Sequence, residues 1–305
     1  MTADMRQDEI NTVVRQVADL LAEHYVFPEL APRIAAALDG YPDGLDAAEL
    51  AERVTEDLRS INGDKHLRLI HSATPLRADH GDDEADLAEL AEWAARTGGG
   101  IGKVERLDDN IGLIEITPLF FPPTTAGDPI AAAMTLVAGA SALIVDVRRC
   151  RGGVPDTVAL FCSYLFGPEP FHLSGIYARK DDAIRQYWTA AHLAGPRFGP
   201  DRPVAVLTSA STFSGGEELA YDLQERGRAT IIGETTRGGA HPRESFAVHP
   251  HLEASIPVAR SVSPLTGGNW EGVGVRPDIA APAEEALDRA VAHLRAAVSV
   301  PVALA

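Results

Sequence analysis

The stretch Pro203-Val-Ala-Val-Leu-Thr-Ser-Ala-Ser-Thr-Phe-Ser-Gly-Gly-Glu-Glu-Leu219 holds two patterns back to back. Residues 203–208 form a nearly continuous apolar run, as in a strand covered on both faces. A turn of small residues follows, and a helix is predicted to open near Gly215. Ser214 therefore stands at a strand-to-helix junction, where unpaired N–H groups and the helix dipole favour negative charge. A serine there serves one of two ends. It caps the helix, or it acts as a nucleophile whose neighbouring amides hold an oxyanion. The Gly-x-Ser-x-Gly elbow is absent, so an α/β-hydrolase fold gains no support.

The same pattern recurs to either side. Leu143-Ile-Val-Asp-Val-Arg-Arg-Cys-Arg-Gly-Gly-Val-Pro-Asp156 runs from a buried strand into the pair Gly152-Gly153 and then a helix. Paired glycines after a strand make a tight turn, or bring a backbone with free amides close to a ligand. The phosphate-loop and dinucleotide signatures are both missing. Further apolar runs at 111–116 and 229–233 alternate with helical segments at 129–138, 155–166 and 216–226, which argues for an α/β core. Residues 8–75 read as helical. Ile10, Val13, Val14, Val17, Leu20 and Leu21 share one face, with Asp8 as the expected N-cap. A second helix is expected from Pro28 to Leu38. A third starts near Asp46 with Leu50, Val54 and Leu58 inward and stops at Asn62-Gly63. These helices form a small bundle packed on something larger. Residues 79–100 are acidic and end in three glycines, which fits a solvated helix with a hinge, or a lid. The expected division is a helical subdomain (1–75), an acidic connector (76–100), a core (101–283) and a closing helix with tail (284–305).

Composition removes several function classes. Acids outnumber bases 44 to 27, for a formal net charge of −17, the wrong sign for a nucleic-acid or anionic-membrane partner. No apolar run approaches the roughly 18 residues of a membrane span. The acidic N-terminal segment lacks the apolar region of a secretory signal, and Cys150 and Cys162 form no framework, so a cytoplasmic protein with reduced thiols is expected. Ten histidines without regular spacing make no metal site, and no cofactor is expected. Lysine occurs only at 65, 103 and 180.

A nucleophilic serine needs a base. His66, in Asn62-Gly-Asp-Lys-His-Leu, and His241, in Arg237-Gly-Gly-Ala-His-Pro, are the loop candidates. Glu271, in Asn269-Trp-Glu-Gly-Val-Gly, is a carboxylate able to orient an imidazole.

Seven segments in order resemble the tail-specific (C-terminal-processing) serine peptidases, and most nearly their interphotoreceptor retinoid-binding-protein-like branch. They are Glu23-His-Tyr-Val, Gly63-Asp-Lys-His-Leu, Asn110-Ile-Gly-Leu-Ile, Asp146-Val-Arg before the glycine pair, Leu207 through Tyr221, Gly227-Arg-Ala-Thr-Ile-Ile-Gly-Glu-Thr-Thr and Glu271-Gly-Val-Gly-Val-Arg-Pro-Asp. The resemblance implies a ClpP/crotonase-like spiral of ββα units with a small helical N-terminal subdomain. It also implies Ser214 as nucleophile, and oxyanion donors at Gly215 and the Gly152-Gly153 turn.

Two departures shape the mechanism. The serine–lysine dyad common in the family is excluded, because Gly239 fills the lysine position and Arg237 cannot deprotonate. The histidine–glutamate variant then implies Ser214–His66–Glu271, with His241 as reserve base or substrate contact. The segment 72–100 is too short for the PDZ domain with which relatives capture protein tails. The expected activity is acyl-enzyme hydrolysis of a peptide or small acyl substrate. The alternatives are a non-catalytic binder of hydrophobic small molecules and a pathway enzyme recruited from the scaffold. The sequence leaves the oligomeric state open.

Overall fold

The computed structural model describes residues 4–77 and 83–299. In chain order its helices and strands are α1 (Gln7–His24), α2 (Ala31–Ala35), α3 (Ala47–Arg59), β1 (Arg68–His71), α4 (Asp83–Arg96), β2 (Ile101–Leu107), β3 (Ile111–Ile116), α5 (Pro123–Val137), β4 (Ala142–Asp146) and α6 (Pro155–Ser163), followed by β5 (His172–Ala178), β6 (Ala183–Trp188), β7 (Val204–Thr208), α7 (Gly215–Glu225), β8 (Thr230–Gly233), β9 (Arg243–His249), β10 (Leu252–Pro257), β11 (Ala259–Val262), β12 (Ile279–Ala280) and α8 (Ala286–Ser299). They form two compact units that are not consecutive along the chain. One takes the described residues of 1–88, 176–185 and 241–262, and the other takes 89–175, 186–240 and those of 263–305.

In the first unit α1, α2 and α3 bury Ile10, Val17, Leu21, Ile34, Leu50, Val54 and Leu58 against Leu252, Ala254 and Ile256. The surface they cover is an antiparallel sheet of order β1-β10-β9, so the helices pack on strands supplied from the far end of the chain. α3 starts where its sequence says it should. Asp46 accepts the N–H groups of Ala48 and Glu49, and Glu49 returns a bond to the Asp46 N–H, a reciprocal cap. α1 begins at Gln7 with Arg6 at the cap rather than Asp8, which lies in the first turn. The stretch expected to be helical throughout also ends in β1. Leu67 and Leu69 alternate inward there, and the partner that makes this a strand, β10, is invisible locally.

The second unit is built on a six-stranded sheet of order β12-β8-β7-β4-β3-β2. β3, β4, β7, β8 and β12 are parallel and β2 is an antiparallel edge. β3, β4 and β7 are buried along their whole length, which is why they read as unbroken apolar runs. Leu113, Ile144, Leu207 and Ile232 pack under Ala286, Ala290 and Leu294 of α8. α5 starts at Pro123, earlier than expected, and holds Pro129 inside it; Pro123 and not Pro129 takes the first-turn position that proline favours. The acidic connector contains α4, and its residues 78–82 lie outside the described ones.

Candidate active site

β7 ends at Thr208, and the turn after it is tied to the end of β4. Ser209 Oγ donates to the Arg148 carbonyl at 2.7 Å, Thr212 Oγ1 to the Val147 carbonyl at 2.9 Å, and the Phe213 N–H to the Cys150 carbonyl at 3.1 Å. These bonds deliver the chain to Ser214, the residue before α7. Its backbone has φ 50° and ψ −118°, a conformation that costs a non-glycine residue about 1–3 kcal/mol and collects at functional positions.

The glycine turn lies against this serine. Gly152 and Gly153 have φ of 134° and 131°. They are laced to the segment before α5, with the Phe120 N–H donating to the Gly152 carbonyl and the Val154 N–H to the Phe120 carbonyl, both at 2.9 Å. A Cβ on Gly152 would sit 3.1 Å from the Ser214 Cβ and 3.5 Å from its Oγ, and a Cβ on Gly215 would sit 3.1 Å from the Gly153 nitrogen. Only glycine permits so close an approach in that conformation. Among the described residues the N–H groups of Gly152, Gly153 and Gly215 enter no backbone hydrogen bond. The glycine turn and the Gly215 backbone thus lie close to the Ser214 side chain.

Glu217, one turn into α7, is a residue that sequence reading passed over. It is fully buried. Its Oε2 accepts the Ser214 N–H at 2.8 Å and the Gly239 N–H at 2.9 Å. Its Oε1 accepts the Thr236 hydroxyl at 2.5 Å and the Gly238 N–H at 2.6 Å. Burial raises its pKa, and these four donors oppose the rise. One carboxylate therefore fixes the serine backbone to the loop 236–239. The loop continues into Ala240, whose N–H donates to Glu271, while the Trp270 indole N–H donates to the Gly239 carbonyl at 2.9 Å. Glu271, the carboxylate the sequence offers as a partner for an imidazole, is in this way tied to the backbone of that loop.

Further along α7, Glu218 and Asp222 are buried one turn apart, and Ser174 Oγ donates to Glu218 at 3.3 Å. Burial raises the Asp222 carboxyl to about 7 and Glu218 well above its usual range. Folded pKa values above the unfolded ones mean that the pair's contribution to stability is complete below about pH 4 and is lost as pH rises through about 7. The double variant Glu218→Gln, Asp222→Asn should flatten that part of a melting-temperature profile between pH 4 and 8. An unchanged slope in calorimetry would contradict the raised pKa values of the pair.

The first unit holds both candidate bases. Asp64 is fully buried. Its Oδ2 lies 2.7 Å from His241 Nδ1 and accepts the Tyr25 hydroxyl at 3.1 Å. Asn62 Nδ2 donates to that hydroxyl at 2.6 Å. The other oxygen, Oδ1, accepts the backbone N–H of His66 at 3.1 Å. Phe27 packs edge-on to the His241 ring at 5.2 Å. His66 is differently placed: burial pushes its pKa down to about 3, against the opposing pull of Asp64. The His241 Nδ1 is thus within hydrogen-bond distance of the Asp64 carboxylate.

Both cysteines are free and buried. Among the described residues no helix is long and apolar enough to cross a membrane.

Known proteins bear on this geometry. A family model described as peptidase family S41 matches residues 110–281, and one described as the N-terminal domain of that peptidase in the eukaryotic interphotoreceptor retinoid-binding protein matches residues 4–94. A carboxyl-terminal-processing protease from Synechocystis sp. is 29% identical over 140 residues, which are 46% of this chain and 31% of that protein. Among solved structures, a putative peptidase from Parabacteroides merdae superposes with a TM-score of 0.64 at 18% identity, over 93% of this chain and 96% of that one. The photosystem II D1 C-terminal processing protease gives a TM-score of 0.53 at 14% identity, over 92% and 94%. The fold expectation, a ClpP/crotonase-like α/β core, stands with these neighbours. With more than half of its length matched by the family model, the chain belongs to peptidase family S41.

Proposed function

We propose that this chain is a serine peptidase in which Ser214 attacks a peptide carbonyl and forms an acyl-enzyme. The observation that carries the reading is the strained Ser214 backbone at the start of α7, set against the amides of Gly152, Gly153 and Gly215. Ser214 Oγ adds to the carbonyl carbon and its proton passes to an imidazole. The carbonyl oxygen becomes an oxyanion facing the three amides. Collapse expels the amine, which takes the proton back, and water then hydrolyses the ester.

We assign the base to His241 in place of His66. With its Nδ1 bound to Asp64, the Nε2 lone pair is the one that takes the proton, and Asp64 stabilises the imidazolium that forms. Continuity of the chain also supports the assignment. Gly239 and Ser214 share one oxygen of Glu217, and His241 follows Gly239 by two residues. His66 instead secures Asp64 through its backbone N–H, and an imidazole whose pKa falls to about 3 is a poor proton acceptor at neutral pH.

His241→Ala should lower kcat about 10²-fold or more on a mixed peptide substrate, whereas His66→Ala, which keeps its backbone N–H, should stay within about tenfold of wild type. The reverse ranking would return the base to His66. The N-terminal match over residues 4–94 supports placing the chain in the retinoid-binding-protein-like branch. The buried free thiols support a cytoplasmic setting.

A further inference from the structure

Three histidines meet at one end of the sheet β1-β10-β9. His71 ends β1 and pairs with Leu252 of β10. Leu252 pairs on its other side with His249 of β9, and His251 lies in the turn just before β10. The centroid of the His251 ring is 6.3 Å from that of His71, with 28° between the planes, and 6.2 Å from that of His249. The backbone beneath the first pair is fixed. The Ser72 N–H donates to the His251 carbonyl at 2.9 Å, and the Leu76 N–H to the Pro250 carbonyl at 2.7 Å. No spacing along the chain announces this grouping; strand register produces it.

The hydrogen bonds assign the ring protons. His251 Nδ1 faces the Ser72 carbonyl at 2.9 Å. A carbonyl only accepts, so Nδ1 carries the proton and Nε2 presents a lone pair. His249 Nδ1 accepts the His251 N–H at 3.2 Å, which puts the proton of that ring on Nε2 and leaves it no free lone pair. His71 Nε2 is buried, and among the described residues it has no hydrogen-bond partner, a costly state for a ring nitrogen. We propose that His71 Nε2 and His251 Nε2 form a two-imidazole site for a divalent late transition-metal ion, with water in the remaining positions. A metal-ligating histidine ordinarily donates its other ring N–H to a carbonyl or carboxylate, and His251 already does so. With metal–nitrogen bonds of about 2.0–2.1 Å, two imidazoles on one ion have centroids roughly 5–6 Å apart. A small rotation of either ring reaches that range from 6.3 Å. Nitrogen ligands suit Zn²⁺, Ni²⁺ or Cu²⁺ and not Mg²⁺ or Ca²⁺. The site is independent of the peptidase reading.

The test uses the full chain without a histidine tag, and Zn²⁺ alone as the probe. Equilibrium dialysis with metal analysis should find about one zinc ion fewer on His71→Gln and on His251→Gln than on wild type, while His249→Gln keeps the wild-type number. Reading differences between proteins subtracts any metal held elsewhere, and melting transitions recorded without metal show that each variant is folded. Wild type supplies a second readout that needs no variant. At a zinc concentration about tenfold above the dissociation constant, carbethoxylation of His251 by diethyl pyrocarbonate should slow about tenfold, and that of the exposed His192 should not. Equal zinc on all of these proteins, no zinc on wild type, a loss in His249→Gln as large as in the other two, or His251 modified at one rate with and without zinc would overturn the proposal.

Discussion

Replacing Ser214 by alanine is expected to reduce peptide hydrolysis by about 10⁴-fold or more while leaving the melting temperature within a few degrees of wild type. The size follows from the role, because without the hydroxyl no acyl-enzyme forms and only the amides and binding groups remain. The small effect on stability follows from the geometry. The Ser214 side chain is half-buried at a helix start, and the fixed points of the turn are backbone bonds and Glu217, none of which needs the hydroxyl. Relief of the unusual backbone is not expected, since alanine meets the same φ of 50°. A variant that loses activity by unfolding would show a cooperative loss of its melting transition, which circular dichroism separates from the predicted outcome.

Glu217→Ala should damage both fold and activity. It strips the acceptor from the N–H groups of Ser214, Gly238 and Gly239 and from the Thr236 hydroxyl in a buried position. Unsatisfied buried donors cost about 1–3 kcal/mol each, partly relieved where water enters, so a total on the order of 3 kcal/mol or more is expected. Activity should fall further than the folded fraction does, because displacement of a nucleophile by about 1 Å can cost about 10² in rate. Glu217→Gln separates the two effects. Its amide keeps one acceptor oxygen but points N–H groups at N–H donors, so it should recover part of the lost stability and little of kcat. A Glu217→Gln enzyme with wild-type kcat would show that the carboxylate does not position Ser214.

The strand-to-helix junction at Ser214 and the glycine pair were legible because both are local: an apolar run, a small-residue turn and a helix start lie within one short stretch. The buried parallel strands were legible for the same reason, since full burial writes itself as unbroken hydrophobicity in β4 and β7. What escaped was set by distance. His241 and Asp64 are 177 residues apart, and nothing beside either one announces the other. The strand at 68–71 depends on a partner near 252–255, so helical periodicity upstream carried the expectation too far. Glu217 looked like one of two adjacent acids at a helix start, a common pattern on exposed helices. Its importance comes from the loop 236–239 folding back onto it. A spacing signal was available all the same, because Ser-x-x-Glu at a helix start is the reciprocal-cap pattern.

The most direct test of the central claim is phosphonylation by a fluorophosphonate followed by peptide mapping of the intact, folded protein. The account predicts one adduct, on Ser214, formed rapidly in wild type, absent from Ser214→Ala and strongly slowed in His241→Ala. A folded wild-type protein that takes up no label, or that carries it on a serine other than 214, would contradict it.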